Sequence, residues 1–108
     1  MDIDLRLMDY MEPRTFIKEI LVDENPDAYI YDGADDAILG LVYLDTGPVL
    51  AYSYAAYVSI FMERDGMTFE EAVEFFDFNV AGLRLGEHQP LIVDDTSIVT
   101  EELKVLWP

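Results

Sequence analysis

The constraint that bears hardest on this chain is electrostatic. It has 23 acidic residues against 6 basic ones, a formal charge of −17, whereas about 2–8 units suffices to keep a small domain soluble. Any fold must hold against that self-repulsion, which lowers stability at low salt and is partly screened near physiological ionic strength. Such charge combined with low hydrophobicity would mean disorder. Here 52% of the residues are hydrophobic, enough for a real core, so a folded domain is expected. A length of 108 residues fits one domain, 1–108, and leaves little room for two.

The same charge sorts the function classes. Phosphates would be repelled, so direct nucleic-acid binding is disfavoured, and so is an anionic membrane surface. A chain carrying this charge lives in high salt, binds cations or a basic surface, or tolerates the repulsion. Only two lysines, Lys18 and Lys104, stand against the acids, as on a halophile's surface. The absence of cysteine excludes disulfides, thiolate catalysis and cysteine-based zinc sites. The opening residues MDIDLRLMDY have no basic region and no long apolar run, so no signal peptide is expected. No apolar stretch reaches the ~20 residues that a membrane span needs. The expected location is the cytosol.

Pro13 suits the first turn of a helix, and Phe16, Ile17, Ile20 and Leu21 recur at helical spacing. Pro26 biases Asn25 away from helix, so this element ends near Asp23 or Glu24. Residues 28–31 read as a short strand, Asp32-Gly33 as a turn and residues 34–37 as one helical turn. Residues 38–44 are apolar almost throughout, as in a strand covered on both faces, with Gly40 marking close packing or a bulge. Residues 45–48 turn the chain into a strand at 49–52. Ser53 is an N-cap candidate for a helix whose face is Tyr54, Tyr57, Val58, Phe61 and Met62, and Gly66 fits its exit.

Thr68 and Glu71 form a capping-box pattern, with Met67 and Ala72 at the staple positions. The helix they open is expected to run to about Ala81 and close at Gly82, burying Phe69, Val73, Phe76 and Val80. Residues 83–85 and 90–93 read as two further strands, and Thr100 as the cap of a short helix through Leu106. Mixed rather than alternating elements favour α+β: a single small domain with three to four helices packed on about four short strands.

Across residues 26–93 the chain resembles a group of short bacteriophage and prophage proteins. The resemblance is carried by Asn25-Pro26-Asp27-Ala28, Asp32-Gly33 with Ala37-Ile38-Leu39-Gly40, Asp65-Gly66-Met67-Thr68, Glu70-Glu71-Ala72, Phe78-Asn79-Val80-Ala81-Gly82, and Gly86-Glu87 before Pro90. It implies a phage setting and carries no catalytic assignment. Leu83-Arg84-Leu85, His88 and the tail after Val93 depart from the pattern of the group.

Four constellations are candidates for chemistry. Glu70, Glu74 and Asp77 fall at i, i+4 and i+7 with Glu71 beside them, a row whose neighbours lie about 5–6 Å apart and could stand in for phosphates before a basic groove. The bland alternative is a solvated face of an amphipathic helix. Asp23, Glu24, Asp27, Asp32, Asp35 and Asp36 form an acidic loop that could attract calcium or magnesium, but their spacing fails the EF-hand pattern, so no metal or cofactor is expected. Glu87 and His88 could form an acid–base pair, except that neighbours on an extended chain point to opposite faces. Asn79 reads as a side chain bonding loop amides near the helix end. The fourth is the aromatic surplus: Tyr29, Tyr31, Tyr43, Tyr52, Tyr54, Tyr57, Phe75, Phe78 and Trp107 are many for a small chain. Most would complete the core, with Phe75 and Phe78 the better interface residues.

The leading functional expectation is a binding protein without catalysis. Glu70, Glu71, Glu74, Asp77, Phe75 and Phe78 would contact a basic, nucleic-acid-binding host protein, such as a CRISPR effector or another defence complex, as a nucleic-acid mimic. The alternatives are a self-associating accessory protein that forms a homodimer, and a small enzyme using a divalent metal at the acidic loop.

Overall fold

The computed structural model describes residues 12–97. The helix expected at 100–106 and the aromatic residue Trp107 lie outside them. Helix α1 (Pro13–Glu24) begins where Glu12 accepts from the Arg14 and Thr15 amides, with Pro13 in the first turn. It buries Leu21 and ends as the Asn25 amide bonds the Leu21 carbonyl.

Residues 28–31 join no ladder, contrary to the strand expected there. The Tyr29 amide donates to the His88 carbonyl and the Tyr31 amide to the Tyr52 hydroxyl, so a loop and a side chain take the bonds a partner strand would have used. A 3₁₀ turn, Asp35–Ala37, leads into the sheet.

Strands β1 (Ile38–Leu44) and β2 (Gly47–Ser53) form an antiparallel hairpin, and β3 (Leu91–Val93) pairs with β2 in parallel, giving the order β1-β2-β3. The register shifts between Ile38 and Gly40, the bulge that Gly40 suggested. β1 is an edge strand with Leu39, Tyr43 and Leu44 exposed, not a strand covered on both faces. The covered strand is the central one, β2, buried from Pro48 to Ser53.

The sheet has three strands among the described residues, not four. Residues 83–85 form no strand because Gln89 takes their backbone groups: its carbonyl oxygen accepts from the Leu85 amide and its amide donates to the Leu83 carbonyl.

Helix α2 (Tyr54–Asp65) leaves β2 directly through its N-cap Ser53 and ends at Gly66, whose φ of 68° is the left-handed cap. Helix α3 (Phe69–Phe76) carries the full capping box: the Glu71 amide bonds Thr68 Oγ1 at 3.2 Å and the Thr68 amide bonds Glu71 Oε1 at 3.0 Å. α3 is shorter than expected. From Asp77 to Ala81 the chain widens into a π turn, and Gly82 follows in an ordinary right-handed conformation.

The buried stripe of this segment is Ala72, Phe76 and Val80, with Val73 packed beside it. Phe69, expected in the core, is exposed. It is the first residue of the helix, one turn before the stripe meets α2. Tyr52, Tyr57, Phe61 and Phe76 form the aromatic centre of the core. Tyr57 lies 5.7 Å from Tyr52, 5.4 Å from Phe61 and 5.3 Å from Phe76, ring centre to ring centre. Burial of side chains this size is worth roughly 1.5–3 kcal/mol each. The molecule is thus α+β: a three-stranded mixed sheet with α2 and α3 carried between β2 and β3.

Candidate functional site: the acidic aromatic face of α3

Glu71, Glu74 and Phe75 follow one another at i, i+3 and i+4 on one stripe of α3, and Phe78, in the π turn that follows, meets them at one groove. Together with Met67 before the helix and Asn79 at the foot, they line an open groove of about 470 Å³. Of the six residues singled out in the sequence, these four come together. Glu70 and Asp77 are solvent-exposed but do not line the groove, and Asp77 already belongs to the π turn, where the regular pitch of the row ends.

The two phenylalanines differ. Phe75 is 41% exposed and stands edge-on to Phe61, their ring centres 4.9 Å apart, so the core holds it in place. Phe78 is 85% exposed. A helix face made only for solvation carries polar residues, and an aromatic ring this bare does not fit that description. The carboxylates around it can be solvated without further explanation.

Glu71 is the ordered acid of the groove. The Thr68 amide, and secondarily its hydroxyl, hold the Glu71 carboxyl below the usual carboxylate range. Asn79 does not bond loop amides as expected. Its Nδ2 donates 3.0 Å to the Phe75 carbonyl four residues back, inside the stretch where the helix widens. Met67 and Asn79 were missed as lining residues. Met67 precedes the N-cap Thr68 and so lies outside the helix, and its signal was the staple position that folds it back on the first turns of α3; Asn79 has no comparable signal.

Parts of the other constellations are tied into the framework. In the acidic loop Asp35 pairs with Lys18 at 2.6 Å, and Glu24 accepts from the Tyr43 hydroxyl at 3.0 Å. Among the described residues no group of three or more Asp, Glu or His side chains is placed to hold a metal ion. Glu87 and His88 do approach, Oε1 to Nε2 at 3.5 Å, because they sit in the turn that the Gln89 amide closes on Gly86 and not on an extended chain. The other nitrogen of that ring, Nδ1, lies 3.2 Å from Nδ2 of buried Asn25, which ties it to the framework. Among the described residues no helix is long and apolar enough to cross a membrane.

No family model, curated protein or solved structure matches this chain.

Proposed function

We propose that this chain is an inhibitory binding protein, not an enzyme, that acts in a bacterial cytosol on a basic, nucleic-acid-binding host protein such as a CRISPR effector. The observation that carries the reading is Phe78, 85% exposed in a groove that it shares with Glu71 and Glu74. Negative charge supplies steering and a fast encounter. Exposed aromatic surface supplies the buried anchor that holds the complex. The carboxylates of this face would stand in for nucleic-acid phosphates before the host protein. The phage setting is supported by the order of motifs across residues 26–93 alone.

The test is target-DNA cleavage by purified CRISPR effector complexes, with and without this protein, at two salt concentrations. Inhibition that weakens as salt rises, and that is lost in Phe78→Ala, is the expected result. If every effector stays fully active, the anti-defence reading falls. If Glu70→Gln/Glu74→Gln/Asp77→Asn inhibits as fast as the parent protein, the acidic row takes no part in the encounter.

Self-association has its own observation. β1 is an edge strand without a charged residue, and Leu39, Tyr43 and Leu44 are exposed on it. Such an edge is a template for another strand, although the bulge at Gly40 blunts it. Sedimentation at micromolar concentration decides: a strict monomer removes this reading.

A further inference from the structure

The reading of α3 as the binding face leaves open which basic group it takes, and the groove narrows that choice. We infer that it is an arginine site: the bare Phe78 ring and the carboxylates of Glu71 and Glu74, which line the same groove, together receive the guanidinium of an arginine presented by the partner.

The chemistry of the three side chains selects the ligand. A phenyl face attracts a cation, and the carboxylates of Glu74 and Glu71 line the groove with Phe78. A guanidinium is flat and weakly hydrated, so it can stack on the ring while its N–H fork engages a carboxylate. A lysine ammonium is compact and strongly hydrated, and meets such a site as a point charge only. An apolar anchor would desolvate both carboxylates without giving them a partner. One member of the site and its adjoining wall are fixed beforehand. Glu71 is tethered through Oε1 to the Thr68 amide, and Phe75, the adjoining wall, is held against Phe61.

The fold already builds one arrangement of this kind. Arg64 lies over Phe61, 6.0 Å from the ring centre, while Nε and Nη2 of the same guanidinium each donate at 3.1 Å to the two Asp65 oxygens. Phe61 is the ring against which Phe75 packs. A ring, a carboxylate and a guanidinium forked onto it thus occur together on the ring against which Phe75 packs, and the groove holds the same parts without the arginine.

The inference rests on the reading of α3 as the surface that meets a basic partner, and the experiment separates the two. Hexa-arginine and hexa-lysine peptides are titrated at physiological ionic strength while backbone amide shifts are followed by NMR. Expected are shifts centred on residues 71–79, with hexa-arginine binding about tenfold more tightly than hexa-lysine. Phe78→Leu, which keeps an apolar group but no ring, abolishes that preference and leaves the hexa-lysine affinity unchanged. Equal affinities with shifts on α3 overturn the arginine site and leave the binding face standing. Shifts confined to other surfaces overturn both.

Discussion

The Ser53 hydroxyl donates to one Asp95 oxygen at 2.5 Å while it accepts from the Ala56 amide at 3.0 Å. The other Asp95 oxygen accepts from the Ala55 amide, also at 3.0 Å. An acid just beyond β3 thereby completes the cap of α2, at the helix end where negative charge is favoured.

Asp95→Ala is expected to lower unfolding free energy by about 1–3 kcal/mol, since it removes a helix cap and leaves the hydroxyl of buried Ser53 without its acceptor. Asp95→Asn keeps an acceptor oxygen and should lose less. Urea midpoints of the two variants check the order; equal midpoints for Asp95→Ala and the parent protein would falsify it.

Phe76 and Phe78 are two residues apart and lie at opposite extremes of exposure, 1% and 85%. Phe76→Ala should cost about 3–5 kcal/mol through the cavity it leaves in the aromatic core. Phe78→Ala should stay within about 0.5 kcal/mol of the parent protein, as surface substitutions do. Thermal melts of both variants test the contrast. A large loss at Phe78 would mean that its ring has an intramolecular role.

Burial pushes the phenols of Tyr52 and Tyr57 from 10.0 up to about 12. Below pH 10 both are protonated in the folded and unfolded chain, and their stabilising contribution is fully present. As pH rises from 10 towards about 12 the unfolded chain gives up these protons first, so stability falls. The drop is on the order of 2 kcal/mol per ring by linkage. Denaturant titrations across that window, read with tyrosinate absorbance, should show unfolding and ionisation together. Tyrosinate signal from these two rings in a still-folded protein would contradict it.

Gly47 has φ of +117°, and a Cβ there would sit 3.1 Å from Asn25 Nδ2, which donates to the Pro48 carbonyl at 2.8 Å. Gly47→Ala should therefore cost roughly 1–3 kcal/mol in backbone strain, with further loss if Asn25 is displaced. Gly40 has no positive φ, and nothing lies within 4 Å of an added Cβ. Gly40→Ala should change stability by less than about 1 kcal/mol. Chemical denaturation of the pair measures the difference.

What the sequence disclosed was short in range. Ser53 capping α2, Gly66 closing it, and Thr68 with Glu71 opening α3 are each decided within a few neighbouring residues, and each is found as expected. The sheet was less legible because apolar runs do not say which strand is central. Residues 38–44 read as doubly covered, yet β2 holds the middle because β3 returns to pair with it. Gln89 converts an expected strand at 83–85 into a loop by bonds that span four and six residues from a side chain with no distinctive context. At the site, the sequence singled out all four of Glu71, Glu74, Phe75 and Phe78, but as an acidic row on Glu70, Glu74 and Asp77 and as two separate interface aromatics, not as one groove. Helical pitch gave no warning that the chain widens after Phe76, which takes Asp77 off the regular row, nor that Phe69, as the first residue of the helix, stays exposed.

β2 and β3 lie side by side although residues 54–90 separate them. The β1–β2 hairpin closes through two residues and is expected to form early, whereas β3 can pair only once the segment between it and β2 is closed. A strand of three residues, clasped by three pairings, is expected to form late and to open early. The groove therefore rides on the closed length of the chain, and anything that grips α3 tightens the clasp behind it. Occupancy at the face will be written into the hydrogen-exchange lifetime of Leu91, Ile92 and Val93, although none of them lines the groove.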